Sequence, residues 1–370
     1  MSEISSVLDN LNWEAVEQSI LRKTESDVLH ALQTSKPTLE DFKALLSPAA
    51  LPYLSKMAML SQQLTLQRFG RVMQMYVPLY LSNECQNICT YCGFSMDNKL
   101  KRKTLTDEEI LQEAEMIKAM GYEHVLLVTG EANHTVGVPY LLHAVELLKP
   151  HFSQISIEVQ PLEEEEYKLL VDAGVHAVLV YQETYHREVY KTYHPKGKKS
   201  NYDYRLATPD RAGKAGVNKI GLGTLIGLEN WRVEAFCTAV HLKYLQKSYW
   251  KTKYSISFPR WRPHAGTYAA ENCISDKEFV QLISAYRIFD QEVELSLSTR
   301  EAPNFRDNVF ALGFTSMSAG SKTNPGGYTN KEESLEQFEI SDERSAAEIS
   351  DMLKSKGYEP VWKDWSTCYH

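Results

Sequence analysis

The chain has 370 residues, of which 43% are hydrophobic and 24% are charged, and this composition excludes disordered and fibrous proteins. Its formal net charge of -8 provides no basic field for binding nucleic acid or an acidic membrane surface. No apolar run approaches the roughly 20 residues that span a bilayer, and the first residues lack the pattern of a secretory signal. We therefore expect a cytoplasmic protein that binds neither nucleic acid nor a membrane.

The first part of the chain, residues 1–70, is predicted to be an N-terminal helical extension. Between Leu8 and Leu21 apolar residues recur at helical spacing, and Pro37 followed by Thr38 marks the start of another helix. From Met75 onward short apolar runs alternate with amphipathic stretches, a pattern that indicates parallel strands joined by helices.

Eight runs have strand character and predict the fold. They cover residues 76–80, 124–129, 154–160, 177–182, 219–226, 254–259, 293–299 and 314–319. The first intervening helix begins at Thr106 with Glu109 three positions later, which is a capping box. Further helices are predicted over residues 140–148, 163–173, 204–215, 233–246 and 276–289.

Eight such units over about 250 residues predict an α/β fold, a (β/α)8 TIM-type barrel. We place this barrel at residues 71–330 and a short C-terminal tail packed on it at residues 331–370, with a helix over 343–356. An open doubly wound sheet is the alternative, because hydrophobic periodicity cannot show closure.

Three cysteines, Cys85, Cys89 and Cys92, lie within eight residues directly after the first predicted strand. In a barrel this loop is on the catalytic face, and thiolates are the soft ligands of iron–sulfur clusters and zinc. Three thiolates leave one iron of a 4Fe-4S cube open to a small molecule, whereas zinc would need a distant fourth ligand. The other cysteines are expected to be ordinary apolar or surface residues: Cys237, Cys273 and Cys368.

The C-x3-C-x2-C spacing, Tyr91 before the third cysteine and the following Gly93-Phe94 resemble the radical S-adenosylmethionine superfamily. The resemblance implies a 4Fe-4S cluster on Cys85, Cys89 and Cys92, with S-adenosyl-L-methionine on the open iron. It further implies that the following residues bind this cofactor: Tyr91, Thr129, Gly130, Glu131, Gln182, Glu183, Arg205 and Leu225. Thr129 departs from the Gly-Gly-Glu turn of the family.

The resemblance extends over nearly the whole chain to the aromatic amino acid lyases, in particular to the tyrosine lyases of thiamine biosynthesis. The motifs that carry it are residues 89–94, 181–186, 194–199, 203–205, 258–260, 297–301 and 316–320. It implies cleavage of the Cα–Cβ bond of L-tyrosine to 2-iminoacetate and p-cresol, with methionine and 5'-deoxyadenosine as co-products. It also implies a thiazole synthase as partner and an electron donor of the flavodoxin or ferredoxin type.

For the substrate, a buried carboxylate requires a guanidinium or an equivalent partner. We expect Arg300, at the end of the seventh strand, to bind it, with Ser318 adding a hydroxyl and Tyr80 lying against the amino group. Arg260 is the rival anchor. His186, His194 and Tyr185 are candidates for exchanging the phenolic proton.

Several alternatives stay open from the sequence. The tyrosine lyase of hydrogenase maturation carries a further C-terminal domain with more cysteines, which we do not expect here because only Cys368 occurs in the tail. A tryptophan lyase or a deazaflavin-cofactor synthase shares the cluster loop. A zinc- or cluster-bearing subunit without catalytic activity is the alternative from a different class of protein.

Overall fold

The computed structural model describes residues 3–266, 268–329 and 336–363. Short helices form the start of the chain. They are α1 Glu3–Asp9, α2 Trp13–Leu21, α3 Glu25–Gln33, α4 Leu39–Leu46, a 3-10 helix at Pro48–Tyr53 and α5 Leu54–Phe69. Thr24 and Thr38 begin α3 and α4 with capping boxes, in which each threonine and the aspartate three positions later satisfy one another's backbone N–H groups.

Eight parallel strands then form a closed barrel. They are β1 Val72–Ser82, β2 His124–Thr129, β3 Gln154–Glu158, β4 Val175–Leu179, β5 Lys219–Gly223, β6 Lys253–Ser257, β7 Glu294–Leu297 and β8 Ser316–Ser318. Each strand pairs with the next, and β1 pairs with both β2 and β8, which closes the sheet. The predicted TIM-type barrel is confirmed, and every predicted run overlaps a strand.

Helices connect these strands on the outside. They are α6 Asp107–Ala119, α7 Val138–Leu148, α8 Glu164–Ala173, α9 Tyr190–Tyr193, α10 Tyr202–Leu206, α11 Thr208–Lys214, α12 Trp231–Ser248, α13 Asp276–Phe289 and α14 Pro303–Val309, with 3-10 turns at Lys198–Ser200 and Phe310–Leu312. The capping box at Thr106 is present. The single helix predicted over residues 204–215 is instead two helices, because Pro209 restricts the residue before it and lacks a backbone N–H.

The N-terminal helices cover α12 and α13, and this explains why both of those helices are buried on almost every side. At the contact, the Gln281 amide in α13 donates to the carbonyls of Leu45 and Ser47, each at 2.8 Å. These hydrogen bonds satisfy the end of α4 inside the packed layer. No helix among the described residues is both long and apolar enough to cross a membrane.

After the barrel the chain returns across its catalytic face. Residues 336–342, here called the tail strap, form backbone hydrogen bonds to the loops that follow β8, β6 and β7: Gln337 N–H donates to the carbonyl of Thr323, Glu339 N–H to that of Pro263 and Ser341 N–H to that of Thr299. Helix α15, Ala346–Ser355, follows with a capping box at Ser345. The last strand, β9 Glu359–Val361, which the sequence did not predict, pairs in parallel with the start of β1. Cys368 and the predicted boundary at 330–331 lie outside the described residues.

Candidate active site

The carboxyl ends of the barrel strands surround two adjoining cavities. One lies beside the cysteine loop and is here called the cysteine cavity. The other, the mouth cavity, is lined in part by Gln337 and Phe338 of the tail strap. The residues that line both cavities are Cys92, Val128, Glu158, Tyr181, Glu183, Lys199 and Gln337. A molecule bound in one cavity would therefore contact the occupant of the other.

The cysteine loop is held in place by backbone hydrogen bonds to neighbouring loops. Gln86 N–H donates to the carbonyl of Glu131 at 2.9 Å, and Ile88 N–H donates to that of Lys196 at 3.0 Å. Cys85, Cys89 and Cys92 are free thiols, and all three line the cysteine cavity. The structure thus brings the three predicted metal ligands together.

The surroundings of these thiols fit the 4Fe-4S cluster that the family implies. Burial raises the pKa of Cys92 to about 11, so the thiolate form requires a cationic partner such as cluster iron. Among the described residues, no group of three His, Cys, Asp or Glu side chains converges on a single metal-ion position. Cys85, Cys89 and Cys92 would hold a cluster by giving one thiolate to each of three irons.

A network of charges crosses the floor of the cysteine cavity. The Arg205 guanidinium lies 2.7 Å from Glu131, and the Lys199 ammonium lies 2.8 Å from Glu183. Burial opposes ionisation of Glu131, but Arg205 and Lys199 outweigh it and lower the pKa of this carboxyl. Asn87 of the cysteine loop donates to the same carboxylate at 2.8 Å. The cavity therefore offers both cations for a carboxylate and carboxylates for an amino group or hydroxyls, as S-adenosyl-L-methionine requires.

Two backbone turns place this network. At Gly130 a Cβ would come within 2.1 Å of the Glu84 carbonyl, so the turn after β2 has room only for glycine. Glu183 has φ +70°, which is uncommon for a residue with a side chain. The turn at Glu183 is supported from behind by buried Glu234, which accepts from the Thr184 hydroxyl and, at 2.9 Å, from Tyr185 N–H.

The other predicted cofactor residues have different positions. Thr129 lines the cysteine cavity, whereas Tyr91 and Leu225 line the mouth cavity. The Tyr91 hydroxyl lies 2.6 Å from the ring of His194. Gln182 lines neither cavity; its buried amide forms no hydrogen bond with the part of the chain that the structure describes.

The three predicted substrate residues, Tyr80, Arg300 and Ser318, all line the mouth cavity. Among residues 3–266, 268–329 and 336–363, no carboxylate lies within 4 Å of Arg300. Its guanidinium instead packs on the ring of Phe338, whose centroid is 3.3 Å from the guanidinium carbon. Burial lowers the pKa of Arg300, a shift that an anionic ligand would reverse.

The rival anchor and the histidines lie elsewhere. Arg260 contacts the buried carboxylate of Glu301 and, at 2.6 Å, Asp276, so its guanidinium is already paired. Neither His186 nor His194 lines the mouth cavity. Burial lowers the pKa of His194 well below its usual range, so it is neutral.

Among the lining residues to which the sequence analysis assigned no role are Glu158, Lys199, Gln337 and Phe338. The Gln337 side chain accepts from the Tyr80 hydroxyl at 2.7 Å and lies 3.8 Å from the Cys92 sulfur. A signal existed for Glu158, because it lies in the last part of the strand predicted over residues 154–160, toward the face where catalytic residues collect. No sequence signal could have placed the tail-strap residues at the site, since Tyr80 and Gln337 are 257 positions apart in the chain.

Comparison with known proteins agrees with this geometry. The model of the Radical SAM superfamily matches residues 79–240, and that of the Biotin and Thiamin Synthesis associated domain matches residues 257–359. The 2-iminoacetate synthase of Escherichia coli (strain K12) is 49% identical over 99% of this chain and 98% of its own length. The 2-iminoacetate synthase of Salmonella typhimurium is 48% identical over 96% of this chain and 95% of its own length.

Among solved structures, that of HydG, a maturase of the FeFe-hydrogenase, is 31% identical and superposes with a TM-score of 0.90. The match covers 96% of this chain and 81% of the HydG chain. The closed barrel, its cysteine loop and the superfamily match together define a radical S-adenosylmethionine enzyme. Near-full-length identity then shows that the chain belongs to the 2-iminoacetate synthase family. The predicted resemblance is confirmed, while the roles of single residues stay predictions.

Proposed function

We propose that this chain cleaves the Cα–Cβ bond of L-tyrosine to 2-iminoacetate and p-cresol, with methionine and 5'-deoxyadenosine as co-products. The observation that carries the proposal is the junction of the two cavities, one lined by three free thiols and the other by the Arg300 guanidinium, which pairs with no carboxylate among the described residues. An amino acid in the mouth cavity would lie beside whatever the cysteine cavity holds.

The cysteine cavity would hold the cofactors. Cys85, Cys89 and Cys92 would bind a 4Fe-4S cluster, and Glu131 and Arg205 would bind the amino and carboxylate groups of S-adenosyl-L-methionine. When bound, these cofactors would supply the one-electron chemistry, with a 5'-deoxyadenosyl radical as the acceptor for a hydrogen atom of the substrate amino group.

The mouth cavity would position the substrate. The Arg300 fork accepts the carboxylate, which its present surroundings leave without competition from an acidic side chain among the described residues. Ser318 offers a further hydroxyl, and Tyr80, whose hydroxyl donates to Gln337, also lines the cavity. The tail strap covers the site, and a covered site excludes the water and stray hydrogen donors that quench radicals.

The chemistry of the product indicates the partners. 2-Iminoacetate hydrolyses readily, which favours direct transfer to a thiazole synthase for thiamine biosynthesis. One-electron reduction of the cluster requires a donor of the flavodoxin or ferredoxin type. Three free thiols in one loop favour a reducing compartment, and we infer that the protein works in the cytoplasm.

The test is an anaerobic assay of the reconstituted, reduced protein with S-adenosyl-L-methionine and either tyrosine or tryptophan. Mass spectrometry measures 5'-deoxyadenosine and the aromatic products. We expect tyrosine-dependent p-cresol together with glyoxylate, the hydrolysed imine, and no cyanide.

The other outcomes separate the parts of the proposal. Deoxyadenosine without p-cresol would retain the radical chemistry and reject tyrosine as substrate. Cyanide with p-cresol would indicate the hydrogenase-maturation reaction instead. Neither product from a cluster-loaded sample would contradict the lyase assignment itself.

A further inference from the structure

Glu158 has no structural role that the described residues reveal. It ends strand β3, and its side chain lines both cavities. Among the residues that the structure describes, none donates a hydrogen bond to this carboxylate, and no cation lies within 4 Å of it. A carboxylate enclosed by protein without a partner is costly, so the site favours a ligand that supplies a cation or hydrogen-bond donors.

The position of Glu158 relative to Arg300 indicates the kind of ligand. Strands β3 and β7 are separated by three strands in either direction around the barrel, so the residues at their ends face one another across the mouth cavity. One residue carries a carboxyl group and the other a guanidinium, and neither is paired with an opposite charge within the described chain. An α-amino acid carries an ammonium group and a carboxylate group on the same carbon, and these two groups complement Glu158 and Arg300.

We propose that Glu158 binds the α-amino group of the amino acid whose carboxylate is bound by Arg300. This inference rests on the proposed lyase function and adds to it the residue that selects for the amino group. The phenol is the rival occupant, since a carboxylate also accepts from a hydroxyl. The amino group is favoured because Glu158 also lines the cysteine cavity, and the proposed reaction starts at the nitrogen, which must therefore lie at the junction of the two cavities.

The electrostatics around Glu158 are consistent with this role. Burial raises its pKa to about 7, and Glu183 after β4 adds to the shift, whereas Arg300, Lys199 and Arg205 act in the opposite direction. The phenols that face it are Tyr76, Tyr80 and Tyr181, whose pKa values burial and this carboxylate raise. An ammonium group would offset the cost of ionising Glu158.

The test compares ligands that differ in single groups. Calorimetry under anaerobic conditions, on reconstituted protein with S-adenosyl-L-methionine, measures the affinity of L-tyrosine and of 3-(4-hydroxyphenyl)propanoate, which lacks the amino group. For Glu158→Gln we expect tyrosine to bind at least tenfold more weakly, with the affinity of the propanoate changed less than twofold. Glu165→Gln, an exposed glutamate on α8, is the matched control and should bind both ligands as the wild type does.

The outcomes separate this inference from the proposed function. Equal weakening of both ligands, or of neither, in a Glu158→Gln protein that still binds S-adenosyl-L-methionine would overturn it. L-Phenylalanine tests the rival: if the variant loses only the preference for tyrosine over phenylalanine, Glu158 binds the phenol and the inference is wrong. If Glu158→Gln does not fold, Glu158→Asp is measured instead. We expect the same pattern in that variant, with tyrosine bound more weakly and the affinity for the propanoate nearly unchanged. A wild type that neither binds nor cleaves tyrosine would instead reject the proposed function.

Discussion

The guanidinium of Arg300 lies over the ring of Phe338, 3.3 Å from its centroid, and this contact joins the end of β7 to the tail strap. The face of an aromatic ring attracts a cation without neutralising it. The contact therefore orients the Arg300 fork while leaving its N–H groups available to a carboxylate. The mouth cavity is therefore lined by the tail strap as well as by the ends of the barrel strands.

We predict that Phe338→Ala weakens tyrosine binding by about 2- to 30-fold, the range of a cation–π contact of roughly 0.5–2 kcal/mol. Phe338→Trp should restore most of the affinity, because indole also presents an aromatic face. Calorimetry with tyrosine measures this, and the affinity for S-adenosyl-L-methionine serves as the control. Full affinity in the alanine variant would show that Arg300 is oriented by other contacts.

Replacing Arg300 itself should have a larger effect. We expect Arg300→Ala to reduce tyrosine affinity by about 10- to 100-fold, the loss of a charge-assisted hydrogen-bonded pair, while S-adenosyl-L-methionine still binds. Arg300→Lys keeps the positive charge but not the two-pronged guanidinium, so its affinity for tyrosine should lie between that of the wild type and that of Arg300→Ala.

Arg260 gives the contrast. Arg260 pairs with buried Glu301, so we expect Arg260→Ala to lower the melting temperature clearly. Its affinity for tyrosine should change little. Thermal unfolding and calorimetry on both alanine variants decide between the two arginines. Unchanged tyrosine affinity in Arg300→Ala would move the carboxylate site elsewhere.

The cysteine assignments predict a sharp division. Cys85→Ala, Cys89→Ala and Cys92→Ala should each lose the cluster and all product formation. Cys237→Ala, in the buried face of α12, should retain both with only a modest loss of stability. Iron content, the visible absorption spectrum and p-cresol yield measure this; an intact cluster in any of the first three variants refutes that ligand.

The tail should contribute measurably to stability through one ion pair. Arg306 and Asp342 are both fully buried and 2.5 Å apart, and Arg306 also donates to the carbonyl of Ser318. Removing one partner of such a pair costs about 3–5 kcal/mol. We therefore expect Asp342→Asn to lower the unfolding free energy and to loosen the end of β8, as measured by denaturant unfolding and hydrogen exchange.

The same pair predicts a pH dependence. Burial alone would raise the pKa of Asp342, but Arg344 and Arg306 outweigh it and lower the pKa below its ordinary value. A lowered folded-state pKa means that the stabilisation is complete above the unfolded value of about 3.9 and is lost as the pH falls through the folded value. Wild type and Asp342→Asn should therefore converge in stability below about pH 4; a constant difference down to pH 2 would contradict this.

The fold could be predicted because its signals are local. Each barrel strand is a buried apolar run of a few residues. Helices such as α6 and α13 begin with capping boxes, at Thr106 and Ser275, that can be recognised in the sequence. Closure could not be predicted, since it depends on pairing between β1 and β8, which are far apart in the chain.

For the site, too, the features with local sequence signals could be predicted and those that depend on long-range contacts could not. The cysteine loop has a fixed local spacing, and Arg300 and Ser318 were predicted as substrate residues because they lie at the ends of predicted strands. Lys199 lies in the 3-10 turn between α9 and α10, and its pairing with Glu183 follows from tertiary placement alone. Gln182 was predicted as a cofactor residue from the family resemblance, yet its side chain lies outside both cavities. Alternation along an extended segment decides this, and a single residue of shift reverses it.

The order in which the parts of the site are synthesised follows from the tail strap. A ribosome completes the cysteine loop long before it reaches Gln337 and Phe338, whose side chains contact Cys92 and Arg300. The cysteine loop and the barrel strands are therefore synthesised before the residues that cover them, and the catalytic face is complete only after the segment that follows β8 has been added.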